Sequence, residues 1–239
     1  MNLSSTPSGS KVGSCPVAIP RWKRILDFVF ILLTLPLLLP LSILVAVLIR
    51  VVSPGPILFK QQRMGFGGRR FMCLKFRTMV VAADTSGHQN HLGDLIGSNM
   101  PMVKLDSRGD SRIIPFGCWL RSSGLDELPQ LINVLLGEMS LVGPRPCLAY
   151  ECEKYLPWHW QRFDTLPGLT GLWQVSGKNK TTFSEMMRLD VEYAHRKNLW
   201  LDLLIIIKTP LVVMGQVWDV LTGRLALLRR RAGWTNLRS

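Results

Sequence analysis

The 239-residue chain carries 29 Lys and Arg against 16 Asp and Glu, a formal charge of +13, and 47% of its residues are hydrophobic. That size fits one domain with appendages, and the charge favours an anionic partner: nucleic acid, acidic lipid headgroups or a phosphorylated substrate. The five cysteines are odd in number with no CxxC pair, and His88 and His91 form only an HxxH. This argues against a disulfide scaffold and a zinc site and reads as reduced thiols.

Residues 1–20 are rich in Ser, Gly and Pro and read as a disordered lead. The long polar part, with no small-residue cleavage site after the apolar run, does not fit a signal peptide. From Phe28 to Ile49 there is no charge. As a helix this run measures about 33 Å, enough to cross a hydrocarbon core of about 30 Å, so hydropathy alone reads as a single-pass anchor. Pro36 and Pro40 lie mid-run, where proline kinks or breaks a helix. Basic residues flank both ends: Arg21, Lys23 and Arg24 before, Arg50, Lys60 and Arg63 after. Positive charge marks the cytoplasmic side, so a re-entrant hairpin that returns to its own leaflet is favoured over a span. Asp27 reads either as a helix-end residue in the headgroup zone or as a partner for Arg24.

Residues 53–79 read as a turn, a strand, a Gly turn and a second strand. Gly65, Gly67 and Gly68 suit a hairpin turn better than a phosphate cradle. Lys75 and Arg77 are two apart and share one strand face, either a solvated face or an anion site. Residues 84–112 are polar without a period and read as a loop, possible cover for a site. Near the C-terminus "LWLDLLIIIKTPLVVMGQVWDVL" is apolar but interrupted by Asp202, Lys208 and Pro210, which suits helices lying in the membrane interface. Trp158, Trp160, Trp200 and Trp218 match the interfacial preference of indole, and the basic tail over 223–239 suits anionic lipid.

The stretch "SSGLDELPQLINVLLGEMSLVGPRP" sets Asp126 beside Glu127 in an acid-poor chain. Leu128, Leu131, Ile132, Leu135 and Leu136 follow the spacing of a helix with one buried face, ended by Gly137. Ser123 or Asp126 serves as N-cap, so both acids sit where the helix dipole favours negative charge. A capped helix alone would explain them. Their company points further, because Arg121 precedes and Arg145 follows in "VGPRP". Adjacent carboxylates need compensating cations; the arginines supply part and a divalent metal would supply the rest. Carboxylates, Arg and Mg²⁺ are the parts of phosphoryl-transfer sites, in which an Asp can be the nucleophile.

With these residues in place the chain resembles the bacterial sugar transferases, the monotopic phosphoglycosyl transferases, from about Trp22 to Met214. The resemblance rests on "KRILD", the Pro-containing apolar helix, "SPGPILFKQQRMG", "LKFRTM", "LRSSGLDELPQLINVLLGEMSLVGPRP", "PGLTGLWQVSGKN" and "LDVEY" in that order. It implies an α+β fold with a re-entrant, Pro-broken N-terminal membrane helix over 21–50. A cytoplasmic-face catalytic domain over 51–222 follows, with a small β-hairpin, catalytic helices and interfacial amphipathic helices. It implies transfer of a sugar-1-phosphate from a UDP-sugar to undecaprenyl phosphate at the bacterial inner membrane, with UMP released. The residue matching the attacking aspartate is Asp126; Glu127 matches the Mg²⁺ ligand, and Arg121 and Arg145 match the phosphate-holding arginines, a task suited to the guanidinium fork. Lys75, Arg77 and Gln174 are expected to help shape the site. The helix break matches Pro40, with Pro36 an extra break.

Gly124 stands where the family has Ser, Leu39 where Ser precedes the proline, and Lys178 where Gly-Arg follows "QVSG". The chain reads as a minimal catalytic form without the multi-helix domain of some relatives. The competing class is a membrane-tethered basic protein gripping anionic lipid or nucleic acid, which would show steep salt dependence and release no UMP; no stacking aromatics among the basic residues favour nucleic acid. Neither the sugar, the product polymer nor a homodimer is readable from the sequence.

Overall fold

A computed structural model describes residues 18–80, 101 and 112–235, with side chains to residue 222 except Asn179. The expected lead up to residue 17, and the 84–112 loop apart from Pro101 and Arg112, lie outside the described residues. The architecture is α+β, mostly helical, with two small two-stranded sheets.

Helix α1 spans Arg21–Val52. Pro36 and Pro40 both lie inside one uninterrupted run of helix, so no coil separates two halves there; proline bends a helix without ending its run. Each proline removes a single N–H from the ladder, and hydroxyls bond carbonyls in the same region: Thr34 Oγ1 donates to Phe30 O at 2.8 Å and Ser42 Oγ to Leu38 O at 2.6 Å. The first turns are locked into the protein. Lys23 Nζ donates to Val142 O, Tyr193 Oη and Asp202 Oδ2 at 2.6–2.7 Å. Asp27 is buried rather than set in a headgroup zone. It accepts from Ser140 Oγ and Leu141 N at 2.9 Å, with Arg24 at 3.4 Å.

At the far end of α1, Val45 and Ile49 join Phe76, Ile114 and Leu120 in a hydrophobic core. Burying an aliphatic side chain such as Ile49 stabilises by about 1.5–3 kcal/mol. Near the start, Ile31 joins a second core with Phe71, Cys73, Val134, Leu141 and Tyr193. Between these anchors Leu32, Leu33, Leu37, Leu39, Ile43 and Leu44 are exposed. Both ends of α1 therefore seat on one folded body, and its middle presents bare hydrocarbon.

Strands β1 (Leu58–Met64) and β2 (Arg70–Phe76) pair antiparallel, Leu58 opposite Phe76 and Met64 opposite Arg70. The Gly turn between them closes on itself, with Gly65 N donating to Arg69 O and Gly68 N to Gly65 O. Those N–H groups are spent inside a hairpin turn. Helix α2 (Gly117–Ser123), a 3₁₀ turn (Leu125–Glu127) and helix α3 (Gln130–Leu136) follow. Gly137 ends α3 at φ 82°, as the sequence predicts.

The face of α3 is only in part the one its leucines suggest: Leu128 and Leu131 pack partly buried against the cores. Gln130, Asn133 and Val134 are buried, whereas Ile132, Leu135 and Leu136 are exposed. Asn133 must point inward because it completes the edge of β2, accepting from Leu74 N at 3.0 Å and donating to Met72 O at 2.8 Å. Apolar spacing marks a face to be kept from water without saying whether protein or lipid covers it.

Strand β3 (Ser140–Val142) pairs in parallel with β4 (Gly168–Thr170). A Cβ on Gly143 would lie 2.2 Å from Leu166 O, and one on Gly168 2.1 Å from Gly143 N; only glycine permits this approach, which presses "PGLTG" against "VGPRP". Next come α4 (Ala149–Cys152), a 3₁₀ segment (Pro157–Asp164), α5 (Leu172–Val175) and α6 (Phe183–Arg196). Thr182 and Glu185 form a capping box on α6, satisfying two orphan N–H groups.

The last helix, α7 (Leu199–Thr235), contains Pro210 and carries the basic tail as helix to Thr235. Trp200, Leu204, Ile207, Leu211, Met214, Trp218 and Leu221 form an exposed stripe on it. Trp160 is also exposed, whereas Trp158 is half-buried and packs one side against the core of Trp173, Phe183, Met186 and Met187.

Candidate active site

Gly124 ends α2 in the left-handed conformation at φ 72° and starts the turn that carries Asp126 and Glu127. The turn is closed by Glu127 N donating to Gly124 O at 3.0 Å. Neither Ser123 nor Asp126 caps α3: Pro129 occupies the N-cap with no side-chain cap hydrogen bond, and Ser123 Oγ bonds Trp119 O and Leu120 O. The turn instead leans on β2. Lys75 Nζ meets Glu127 Oε1 at 2.5 Å, with the two side chains 24% and 37% exposed. Asp126 is buried, 8% exposed.

Lys178, which sequence reasoning left outside the site, belongs beside this turn. Burial lowers its pKa while Glu127 and Asp126 work to raise it and Lys75 and Arg145 to lower it further; it therefore feels both acids and both cations. Its backbone is strained, φ 40° after Gly177 at 121°, and Nζ donates to Gln216 Oε1 on α7 at 3.1 Å. Strain of this kind concentrates at functional positions. The available signal was its place after "QVSG", read only as a departure.

Arg145 follows β3 in a scaffold of buried charges. It donates to Glu151 at 3.0 Å, and its carbonyl accepts from Arg162 Nη2 at 2.7 Å. Arg162 pairs in turn with Asp190 at 2.6 Å, both buried. Burial pushes the Glu151 carboxyl up, but Arg145, the Leu148 N–H and Arg63 outweigh it, so it ionises below its ordinary range. Glu151 and Arg162 carry no sequence signal of their own, and Asp190 stands in the quoted "LDVEY" with no role readable there; their pairing is made by tertiary structure.

Arg121, on α2, reaches Thr78 Oγ1 at 3.4 Å. Arg77 is buried and donates to Ser53 O and Pro54 O at 2.7 and 2.8 Å, so it clamps the end of α1 rather than sharing a face with Lys75. Gln174 on α5 donates to Leu169 O at 3.2 Å. The structure thus brings Asp126, Glu127, Lys75, Lys178 and Arg145 into one electrostatic neighbourhood, while Arg77 and Gln174 are bonded within the scaffold. Among the described residues no group of three or more His, Cys, Asp or Glu could hold a metal ion. Two adjacent carboxylates fit Mg²⁺ nonetheless, since that ion is bound through one or two carboxylates together with substrate phosphates.

Residues 19–216 match the family described as bacterial sugar transferase. The chain is 38% identical over 229 residues to a UDP-glucose:undecaprenyl-phosphate glucose-1-phosphate transferase of Xanthomonas campestris pv. campestris, covering 87% of this chain and 44% of that protein. It is 41% identical over 201 residues to a protein of the same description from Caulobacter vibrioides, covering 81% and 70%. It is 37% identical over 195 residues to the exopolysaccharide production protein ExoY of Sinorhizobium fredii, covering 81% and 86%. The chain belongs to the bacterial sugar transferase family. It spans less than half the length of the Xanthomonas relative. Two helical stretches, α1 and Leu199–Thr222, are long and apolar enough to cross a membrane by length and composition, and both leave most of that apolar surface uncovered, which fits membrane association.

Proposed function

We propose that this chain moves a sugar-1-phosphate from a UDP-sugar to undecaprenyl phosphate, through a phosphosugar held on Asp126. The observation that carries the reading is the acidic turn of Asp126 and Glu127 set against Lys75, in a chain matched to the sugar transferases over residues 19–216. An Asp126 oxygen attacks the β-phosphorus of the UDP-sugar. The new Asp–O–P bond forms as the P–O bond to UMP breaks, and UMP leaves with the electron pair. A lipid-phosphate oxygen then attacks the same phosphorus, and the aspartate leaves as a carboxylate. Lys75, Lys178, Arg145 and Arg121 stabilise negative charge on the phosphoryl oxygens, the dominant task in such chemistry. Glu127 would hold Mg²⁺, whose contribution is to neutralise phosphate charge.

The re-entrant topology belongs to this reading, and the seating of both ends of α1 on one body supports it. A span would place those ends across about 30 Å of hydrocarbon. The reading puts the catalytic body on the cytoplasmic face of the inner membrane, facing its nucleotide substrate. Cysteines placed at positions 28 and 48 are expected to label from one side only; labelling from opposite sides would refute the hairpin.

The decisive assay is UMP release across a panel of UDP-sugars with polyprenyl phosphate and Mg²⁺, joined to peptide mass spectrometry without lipid acceptor. Release from at least one sugar and a phosphosugar adduct on Asp126 are expected. An adduct on another residue, or full activity in Asp126→Asn, would overturn the mechanism.

A further inference from the structure

Cys147 follows the "GPRP" segment and Cys152 closes α4, and their sulfurs lie 3.6 Å apart. The two are held differently. Cys147 is fully buried, and its carbonyl accepts from Met64 N at 2.9 Å, which fixes its backbone to β1. Cys152 is partly exposed at the end of a four-residue helix. Between them lies Glu151, whose carboxylate pairs with the Arg145 guanidinium at 3.0 Å and also accepts from Leu148 N at 2.9 Å. A change in the Cys152 position therefore reaches Arg145 through one residue.

We propose that Cys147 and Cys152 are a reversible oxidation site whose disulfide shifts Glu151 and so misplaces Arg145. A disulfide needs its sulfurs at about 2.0 Å, well inside the 3.6 Å separation. Cys147 is the anchored partner, so α4 must yield. The S–H of Cys152, hydrogen-bonded to the Cys147 sulfur, lowers the Cys147 pKa to about 7, with Arg162 also favouring the thiolate against burial. The pair thus holds one thiolate near neutral pH, the form that reacts. The hydrogen bond that favours it on Cys147 pushes the Cys152 thiol well above its ordinary range, so the accessible sulfur reacts once the shared proton has crossed to Cys147.

The oxidant is a peroxide. With the thiolate on the accessible Cys152, its sulfur attacks one peroxide oxygen; the O–O bond breaks, leaving Cys152 sulfenic acid and hydroxide, which takes the proton left on Cys147. The Cys147 thiolate then attacks the sulfenic sulfur, forming S–S and expelling hydroxide, which is protonated to water. Two thiols and one peroxide give one disulfide and two waters, and an external dithiol reverses the step. The effect on turnover rests on the transferase reading; formation of the disulfide does not.

The test treats the full chain, in detergent or nanodiscs, with hydrogen peroxide, followed by alkylation, peptide mapping and UMP-release assay. Expected are a Cys147–Cys152 crosslink, Cys73 and Cys118 still open to alkylation after unfolding, and release slowed roughly tenfold to a hundredfold, the scale of an ångström-level misplacement. Dithiothreitol should restore the rate, and Cys152→Ser and Cys152→Ala should resist peroxide. Both thiols remaining alkylatable, full release by crosslinked protein, or equal peroxide loss in the Cys152 variants would each overturn the proposal. Untreated wild type that releases no nucleotide would instead overturn the transferase reading, and the crosslink map alone would then decide the oxidation site.

Discussion

Lys75–Glu127 and Arg162–Asp190 are both cation–carboxylate contacts, at 2.5 and 2.6 Å, yet the first leaves its side chains 24% and 37% exposed and the second 1% each. The buried pair is one link in a closed chain: Arg162 also donates to Tyr155 Oη and to the Arg145 carbonyl, so its geometry is overdetermined. The open pair joins two elements, β2 and the acidic turn, at a surface that solvent reaches. Removing a partner from a buried pair strands a charge, whereas an exposed pair contributes little to folding. Burial separates the charges that hold the fold from those that can exchange partners during a reaction.

This contrast makes opposite demands on mutants. Asp126→Asn keeps size and polarity but loses the nucleophile, so nucleotide release is expected to fall by roughly 10⁴-fold or more, with an unchanged unfolding midpoint. Arg162→Leu should do the reverse of a site mutation. It leaves the Asp190 carboxyl unpaired in the interior, where burial already pushes it up to about 6 with Arg162 in place, so that it must take up a proton to stay folded. Losing one partner of such a buried pair is expected to lower stability by about 3–5 kcal/mol, read by thermal or denaturant unfolding in a fixed detergent. Arg162→Leu protein as stable as wild type would erase the distinction. Lys75→Met comes next, slowing UMP release by about 10²-fold, the scale for one lost charge-stabilising donor, while stability stays within about 1 kcal/mol. If Lys75→Met unfolds the protein and leaves the rate intact, the open pair is structural after all.

The sequence made the acidic turn legible because two adjacent acids in a basic chain, followed by an apolar period and a glycine stop, constrain one another within a dozen residues. The β-hairpin was legible for the same reason, its strands and Gly turn being local. What stayed hidden depends on partners far away in the chain. Glu151 and Asp190 acquire meaning only through Arg145 and Arg162, and the parallel pairing of β3 with β4 brings together residues nearly thirty positions apart. The outward leucines of α3 misled for a different reason: their spacing records avoidance of water, and Asn133, an unremarkable polar residue in sequence, decides which face turns inward. Arg77 misled because two-residue spacing continues to predict a shared face beyond Phe76, where β2 has ended.

The smallest effect concerns Gly124, where the resemblance leads to an expectation of serine. Its φ of 72° lies in the left-handed region, and a Cβ there would meet nothing within 4 Å. The cost of a side chain is therefore conformational alone, about 1 kcal/mol for an L-residue held at positive φ. Gly143 supplies the opposite case, because its missing Cβ would strike Leu166 O and Gly168 N and part β3 from β4. Gly124→Ala is expected to lower stability by about 1 kcal/mol and to keep nucleotide release within a few-fold of wild type, whereas Gly143→Ala should be far more damaging in unfolding measurements. The serine variant separates two accounts of the departure. If glycine is present for its backbone freedom, Gly124→Ser loses as much stability as Gly124→Ala; if the turn lacks only a hydroxyl, Gly124→Ser gains stability over wild type. The open space around the position and the positive φ favour the first outcome, which denaturant unfolding of the two variants side by side would resolve.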